Sequence, residues 1–331
     1  MAAQTLDVVG IGNAIVDVLS QADDAFIVAE KLTKGTMALI DEPRAQTLYN
    51  RMGPGIEASG GSAANTIAGI ASLGGRAAYI GKVAEDLLGK VFAHDLRAAG
   101  VTYDTTPLRG GPSTARCLIL VTPDAHRTMN TFLGASVEFE PNDIDRGLIE
   151  AAQVTYLEGY LFDRDNAKAA FRGAAEIAHR AGRKLALSLS DPFCVERHRA
   201  DFRDLVHHHI DVLFANEIEI GSLYQTTDFD QAVRAVRGEC EIAVLTRSAQ
   251  GSVVVTERDT IAVPAAPVHA VVDTTGAGDL YASGFLYGLT RGRDLKACAG
   301  LGSLCAAEII GHFGARPETS LKELAAKAGL L

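Results

Sequence analysis

The chain has 331 residues, 47% of them hydrophobic, with no Trp and a formal net charge of −10. That length accommodates one large α/β domain, or a core with a small accessory domain, and the apolar share excludes a disordered chain. The acidic balance argues against a nucleic-acid partner, and the scarcity of aromatics argues against a stacking platform for single strands. Residues 1–7 show no basic or long apolar leader, and no stretch reaches the roughly 18 apolar residues of a membrane span. Five cysteines, at 117, 194, 240, 298 and 305, lack Cys-x-x-Cys spacing and read as reduced thiols. The expectation is a cytoplasmic enzyme without a membrane partner, its oligomeric state open.

In chain order, the pattern predicts a buried strand over 6–12, a helix over 23–31, a strand over 37–41 and a helix over 42–52. Gly60-Gly61-Ser62 opens a small-residue helix reaching about 73, followed by a strand over 77–83 and a helix over 87–99. Runs at 115–122 and 127–133, separated by a turn at 123–125, read as a hairpin. Beyond 150, strands at 154–158, 185–189, 212–215 and 242–246 alternate with helices such as 167–181 and 217–224. Short strands follow at 252–256 and 260–263, then helices from about 276, 294 and 320. The alternation predicts an α/β fold, a doubly wound and mainly parallel sheet flanked by helices. The strands at 37–41, 115–122 and 127–133 break that rhythm and read as a small β-sheet lid. The expected division is a core of 1–18, 44–104 and 136–331, with a lid of 19–43 and 105–135.

The strongest motif is Asp273-Thr274-Thr275-Gly276-Ala277-Gly278-Asp279, which precedes an apolar helix. Glycines at a helix start let the backbone approach a ligand, and the free N–H groups there make an anion site. Asp279 in that first turn can take a proton from an attacking hydroxyl. An ordinary helix with an acidic first turn is the alternative. Gly60-Gly61-Ser62-Ala63-Ala64-Asn65 is a second close-approach turn, with Asn65 one turn into its helix, or simply a tight turn. Asn13 and Asp17, after the first strand, are candidates to bind vicinal hydroxyls. Gly10 and Gly12 invite a dinucleotide reading, but Ile15 stands where the third glycine belongs. Asn216 and Glu219 follow a strand, where oxygen ligands suit Mg²⁺, though a favourable helix N-terminus explains them equally. In an extended 127–133 segment, Arg127, Met129, Thr131 and Leu133 share one face, a cation followed by an apolar stripe. No Gly-x-x-x-x-Gly-Lys-Ser/Thr is present, so the P-loop route to ATP is excluded. His207, His208 and His209 read as a solvated loop.

Together these motifs, with Gly81-x-Val83-x-x-Asp86-x-x-Gly89, resemble the ribokinase-type (PfkB) carbohydrate kinases over nearly the whole chain. Within that family, residues 12–17 and 127–135 look most like bacterial adenosine kinases. The resemblance implies a kinase that moves the γ-phosphoryl group of ATP, with Mg²⁺, to the ribose 5′-hydroxyl of adenosine. A sugar kinase of the same family, acting on ribose or fructose, is the nearest alternative, and a non-catalytic nucleoside-binding protein a more distant one. It implies Asp279 as base, and Gly276, Ala277 and Gly278 as anion hole. Asn13, Asp17, Gly61, Ser62 and Asn65 would bind the ribose, and Met129 and Leu133 would line the nucleoside. Arg127 would reach the transferred phosphate from the lid. Thr246, Arg247, Gly251 and Thr275 would border the nucleotide, and Asn216 and Glu219 would organise Mg²⁺ through water. A monovalent cation, K⁺, would fall to Asp273, Thr275, Ile309, His312 and Gly314. Three departures concern the base: Ser248 where many relatives have Gly, Thr275 where animal adenosine kinases have Asn, and Leu161 in place of an aromatic that stacks on adenine.

Overall fold

Strand residues alternate between two apolar neighbourhoods, and that alternation organises the chain. The structure is a computed structural model that describes residues 5–124 and 126–331. Residues 1–4, and Ala125 of the turn expected at 123–125, lie outside the described residues. Fourteen strands are described: β1 (Leu6–Ile11), β2 (Ile15–Gln21), β3 (Met37–Leu39), β4 (Gly55–Gly60), β5 (Ala77–Ile80), β6 (Thr102–Tyr103), β7 (Ala115–Val121), β8 (Arg127–Phe132), β9 (Ala152–Glu158), β10 (Lys184–Ser188), β11 (Val212–Asn216), β12 (Ile242–Thr246), β13 (Ser252–Val255) and β14 (Thr260–Val263). Nine form one sheet in the order β14-β13-β12-β11-β10-β9-β1-β5-β6. All its pairs are parallel except the antiparallel β12–β13 and β13–β14. This is the predicted doubly wound architecture.

Val9, Leu157, Leu187, Leu213 and Leu245 face one core, packed with Phe162, Phe171 and Phe202. Their neighbours Val8, Tyr156, Ala186, Val212 and Val244 face the other, with Ile67, Phe285 and Leu286 from the helices Ser62–Ser72 and Ala277–Thr290. Both faces are covered, so the strands read as nearly continuous apolar runs. The carboxyl ends of β1, β9, β11 and β12 deliver Gly12-Asn13, Glu158, Asn216 and Thr246 to one edge, where open α/β sheets bind ligands.

The other five strands form a second sheet in the order β3-β8-β7-β2-β4. The expected division cuts through it, because β2 and β4 carry residues assigned to the core. Asp17 pairs with Cys117 in parallel and with Ala58 in antiparallel register. Two features hid these strands. Asp17 interrupts the apolar run of β2, and β4 begins and ends in glycine after Pro54, which reads as a turn. Leu133 is a further correction. The strand ends at Phe132, and Leu133 has φ −77° and ψ −19° at the start of a 3₁₀ turn, so only Arg127, Met129 and Thr131 form the extended stripe. The exposed His207 and His208 end the helix Arg199–His208 and the half-buried His209 caps it, so the run is helical rather than looped. No helix among the described residues is long and apolar enough to cross a membrane.

Asp7 anchors the sheet at the end of β1 remote from those ligand-binding strand ends. Its carboxylate, 1% exposed, accepts from Arg76 N–H at 2.7 Å, Arg76 Nη2 at 3.1 Å and Arg291 Nη2 at 2.9 Å. Burial alone would raise its pKa, but the bonds from Arg291 and Arg76 outweigh it and hold the group below the ordinary carboxylate range. A depressed folded pKa contributes stability at neutral pH that is lost as pH falls through that value. Asp7→Ala should cost about 2–3 kcal/mol in urea unfolding at pH 7, less than the ~3–5 kcal/mol of a fully buried pair because both arginines are partly exposed. The deficit should shrink in acid, and equal unfolding midpoints at pH 7 would contradict this assignment.

Candidate active site

Two helices begin facing one another, and their first turns build the centre of the cleft. Gly61, with φ +93°, turns β4 into the helix Ser62–Ser72, and a Cβ there would lie 2.3 Å from the Asn13 carbonyl oxygen. Gly276, with φ +78°, opens the helix Ala277–Thr290, and a Cβ there would meet Ala315 at 2.9 Å. Left-handed backbone in such close quarters is available to glycine alone at little cost. Neither helix has a side-chain cap bond at its start.

Asp279 lies between these turns. Ser62 Oγ donates to its Oδ1 at 2.6 Å, and Asn65 Nδ2 donates to its Oδ2 at 3.0 Å. Burial raises the Asp279 pKa above the ordinary carboxylate range, against those two bonds and the Arg316 charge, which lower it. The N–H groups of Gly278 and Asp279 fall in the first turn, where no intrahelical acceptor exists. The N–H of Ala277 donates to the Thr274 carbonyl at 3.2 Å, so the loop presents Gly278 more freely than Ala277.

Glu158, missed from the sequence, organises the turn after β1. It is 1% exposed and accepts from Asn13 N–H at 3.2 Å, Asn13 Nδ2 at 2.9 Å and Ala63 N–H at 2.7 Å. Burial pushes its pKa up to about 7, although these three donors pull it down. With Nδ2 spent on Glu158, the buried Oδ1 of Asn13 has no donor. Asn65 repeats the pattern: Nδ2 is spent on Asp279, and Oδ1 is buried without a partner. Asp17 is half-buried beside them. Burial pushes its pKa up to about 6, against the charges of Arg316 and Arg127. Three oxygens therefore stand ready to accept hydrogen bonds.

Around Arg127 the cleft has the opposite polarity. Arg127 Nη1 donates to Thr275 Oγ1 at 2.7 Å and pairs with Asp273 Oδ2 at 2.6 Å, while its buried Nε and Nη2 lack partners. Arg127 thus already touches the anion loop, with donors to spare. The ring of Phe313 lies 5.8 Å from its guanidinium.

The residues expected to hold K⁺ are otherwise engaged. Asp273 Oδ1 accepts from Thr275 N–H at 3.0 Å and Thr275 Oγ1 at 2.8 Å, and Oδ2 takes Gly314 N–H at 3.0 Å besides Arg127. Ile309 is a core residue, and His312 pairs with Glu308 and Glu318. A guanidinium and N–H donors thus take up the Asp273 carboxylate. Asn216 and Glu219 form a reciprocal capping box, with Nδ2 to Oε1 at 2.6 Å and Asn216 N–H to Oε2 at 2.9 Å. Burial, then the charges of Asp191 and Asp279, push the Glu219 pKa up to about 7. Asn216 and Glu219 are engaged with one another and would meet a Mg²⁺ ion only through its waters, and among the described residues no three His, Cys, Asp or Glu form a direct metal site.

At the far end of the cleft, Thr246 ends β12. Arg247 stacks on Phe229 at 4.1 Å and reaches Glu217 at 3.3 Å. Ser248, where relatives have Gly, does adopt positive φ, +49°. Leu161 is 2% exposed in the core, so it does not stand in the cleft at all. The exposed aromatic of that turn is Tyr160, at 38%.

The chain matches the pfkB family carbohydrate kinase over residues 51–321. It belongs to that family. A pfkB kinase is an ATP-dependent enzyme that phosphorylates a hydroxyl group, and the cleft divides accordingly into an acceptor-rich half and a donor-rich half. The chain is similar to the adenosine kinase of Sinorhizobium meliloti, with 52% identity, a TM-score of 0.91 and coverage of 98% of this chain and 99% of that one. A probable sugar kinase from Rhizobium etli CFN 42 is 51% identical over the whole of both chains, with a TM-score of 0.93. The adenosine kinase of Saccharomyces cerevisiae is 28% identical over 312 residues, 88% of this chain and 87% of that protein.

Glu158→Gln would turn an amide with one acceptor oxygen toward three donors. It should raise KM for the hydroxyl substrate about 5- to 100-fold, as expected for an unsatisfied buried group costing ~1–3 kcal/mol. KM for MgATP should hold within about twofold. Steady-state kinetics in both substrates checks this, and a rise confined to MgATP would contradict it.

Proposed function

We propose that this protein is an adenosine kinase, transferring the γ-phosphoryl group of ATP to the ribose 5′-hydroxyl and giving AMP and ADP. The observation that carries the reading is a trio of acceptors, the buried and unpaired Asn13 Oδ1 and Asn65 Oδ1 with the half-buried Asp17, beside a carboxylate at a helix N-terminus. Vicinal hydroxyls are donors, and a buried acceptor left without one is costly. A ribose diol satisfies Asn13 and Asp17 and leaves the 5′-hydroxyl toward Asp279. The half-buried Met129 and exposed Tyr160 supply apolar and aromatic surface for a flat base. The naming of the Sinorhizobium and yeast relatives supports the same reading. A sugar kinase is the second reading, favoured by the Rhizobium etli relative and by the fact that the acceptor trio needs hydroxyls, not a purine.

In the proposed reaction the 5′-oxygen attacks the γ-phosphorus, its proton passes to Asp279, and the bond to the ADP oxygen breaks. The N–H groups at Gly276 and Gly278, with the spare donors of Arg127, hold the phosphoryl oxygens as charge shifts. Mg²⁺, when bound with ATP, neutralises phosphate charge, and Asn216 and Glu219 hold its water ligands. The small sheet acts as a lid, since β2 and β8 carry Asp17 and Arg127 over the cleft. K⁺ has no part in this proposal.

Asp279→Asn should keep the fold and lower kcat by on the order of 10²–10⁴, the range for a lost general base. Formation of AMP from adenosine and ATP by the purified pair is the test, and near-wild-type turnover in the variant would remove the base assignment. Asp17 adds a pH dependence. Its carboxylate is charged above about 6 and protonated below, and the charged form is the better acceptor. KM for adenosine should therefore rise as pH falls through 6, and Asp17→Asn should flatten that rise. A variant with the wild-type pH dependence would locate the titration elsewhere.

A further inference from the structure

Arg316 is the charged group near the cleft that the mechanism leaves unused. It lies in the segment after the helix Leu295–Ile309. Its Nε donates to the Ser59 carbonyl at 3.1 Å, Nη1 to the Ala64 carbonyl at 2.5 Å, and Nη2 to Ser59 Oγ at 3.1 Å. All three acceptors are neutral oxygens. The fork is spent on the end of β4 and the first turn of the helix Ser62–Ser72, yet the charge itself is not cancelled by these contacts. Its neighbour Ala315 packs against Gly276, so the same segment touches both helix starts.

The titratable groups that face Arg316 come from four elements: Asp17 on β2, Tyr79 on β5, Asp95 on the helix Leu87–Ala98, and Asp279 on the helix Ala277–Thr290. Asp95 is engaged with Ser59 N–H at 2.9 Å. Asp17 and Asp279 open on the cleft, and Asp279 also acts on Glu158 and Glu219. Two cleft carboxylates with further acids behind them repel one another, and the Arg316 charge, in ion-pair contact with neither, offsets part of that repulsion.

We propose that Arg316 is a positioning residue for phosphoryl transfer: its fork holds the turn that carries Ser62 and Asn65 against Asp279, and its guanidinium offsets the negative charge that Asp17 and Asp279 bring to the cleft. Arg316 touches neither substrate; it acts through groups that do. A guanidinium suits this double task because five donors in a plane bridge a strand end and a helix turn while the charge stays permanent. The inference rests on the assignment of Asp279 as base.

The test is the pH profile of kcat/KM for adenosine at saturating MgATP, for wild type, Arg316→Lys and Arg316→Gln. Loss of the charge should move the acid limb upward by about half a pH unit or more in Arg316→Gln. Arg316→Lys, which keeps the charge but not the fork, should hold the limb near its wild-type position while kcat falls several-fold. A limb that does not move in Arg316→Gln, with only thermal stability lowered, reduces Arg316 to a structural clamp and overturns the proposal. Should Arg316→Gln not fold, a limb displaced upward in folded Arg316→Lys overturns it equally. A wild-type enzyme that phosphorylates neither nucleoside nor sugar would overturn the functional reading and this proposal together.

Discussion

The site depends on one contact: the carboxylate of Asp279 held by Ser62 and Asn65, residues more than 200 positions away in the chain. These bonds join the first turns of two helices that pack against the same face of the large sheet. Each helix brings the positive end of its dipole and free N–H groups to the same point. A carboxylate there satisfies some of that polarity. The placement also tunes this carboxylate. Burial raises its proton affinity, which suits proton capture, while the two bonds and a nearby guanidinium keep the charged form accessible.

The rest of the cleft follows from a division of hydrogen-bonding roles. On the sugar side, amide N–H groups are consumed internally by Glu158 and Asp279, so Asn13 and Asn65 show oxygens outward. On the phosphate side, Arg127 keeps two donors unpaired. The boundary between the halves is where a hydroxyl meets a phosphorus. The two sheets enforce this geometry through their covalent crossings, since Gly12-Asn13-Ala14 links β1 to β2 and Gly61 links β4 to its helix. The small sheet and the cleft residues Asn13 and Asp17 are therefore one covalent unit.

Much of this was legible in the sequence. Alternating apolar runs revealed the parallel sheet, and glycines placed before helices located both anion-facing turns. The period-two stripe from Arg127 to Thr131 was also readable, because strand geometry alone puts those side chains on one face. What stayed hidden depended on long-range partners. Glu158 is an ordinary acid after an apolar strand, and only the fold brings Asn13 and Ala63 to it. β4 looked like a turn because its glycines serve close packing. The contact by which Arg127 claims Asp273 was hidden too, because adjacency in motif segments does not reveal it. Leu161 turned inward for a similar reason: which of two neighbours, it or Tyr160, is exposed is decided by the 3₁₀ turn at Gly159–Asp163.

The central claim is that the cleft recognises a substrate by its hydroxyl donors. The most direct measurement is the relative kcat/KM for adenosine, 2′-deoxyadenosine, 3′-deoxyadenosine, ribose and fructose at saturating MgATP. The account predicts adenosine as the best acceptor, with each deoxy analogue reduced about tenfold or more because its absence leaves a buried acceptor unpaired. Equal use of adenosine and both deoxy analogues would contradict it.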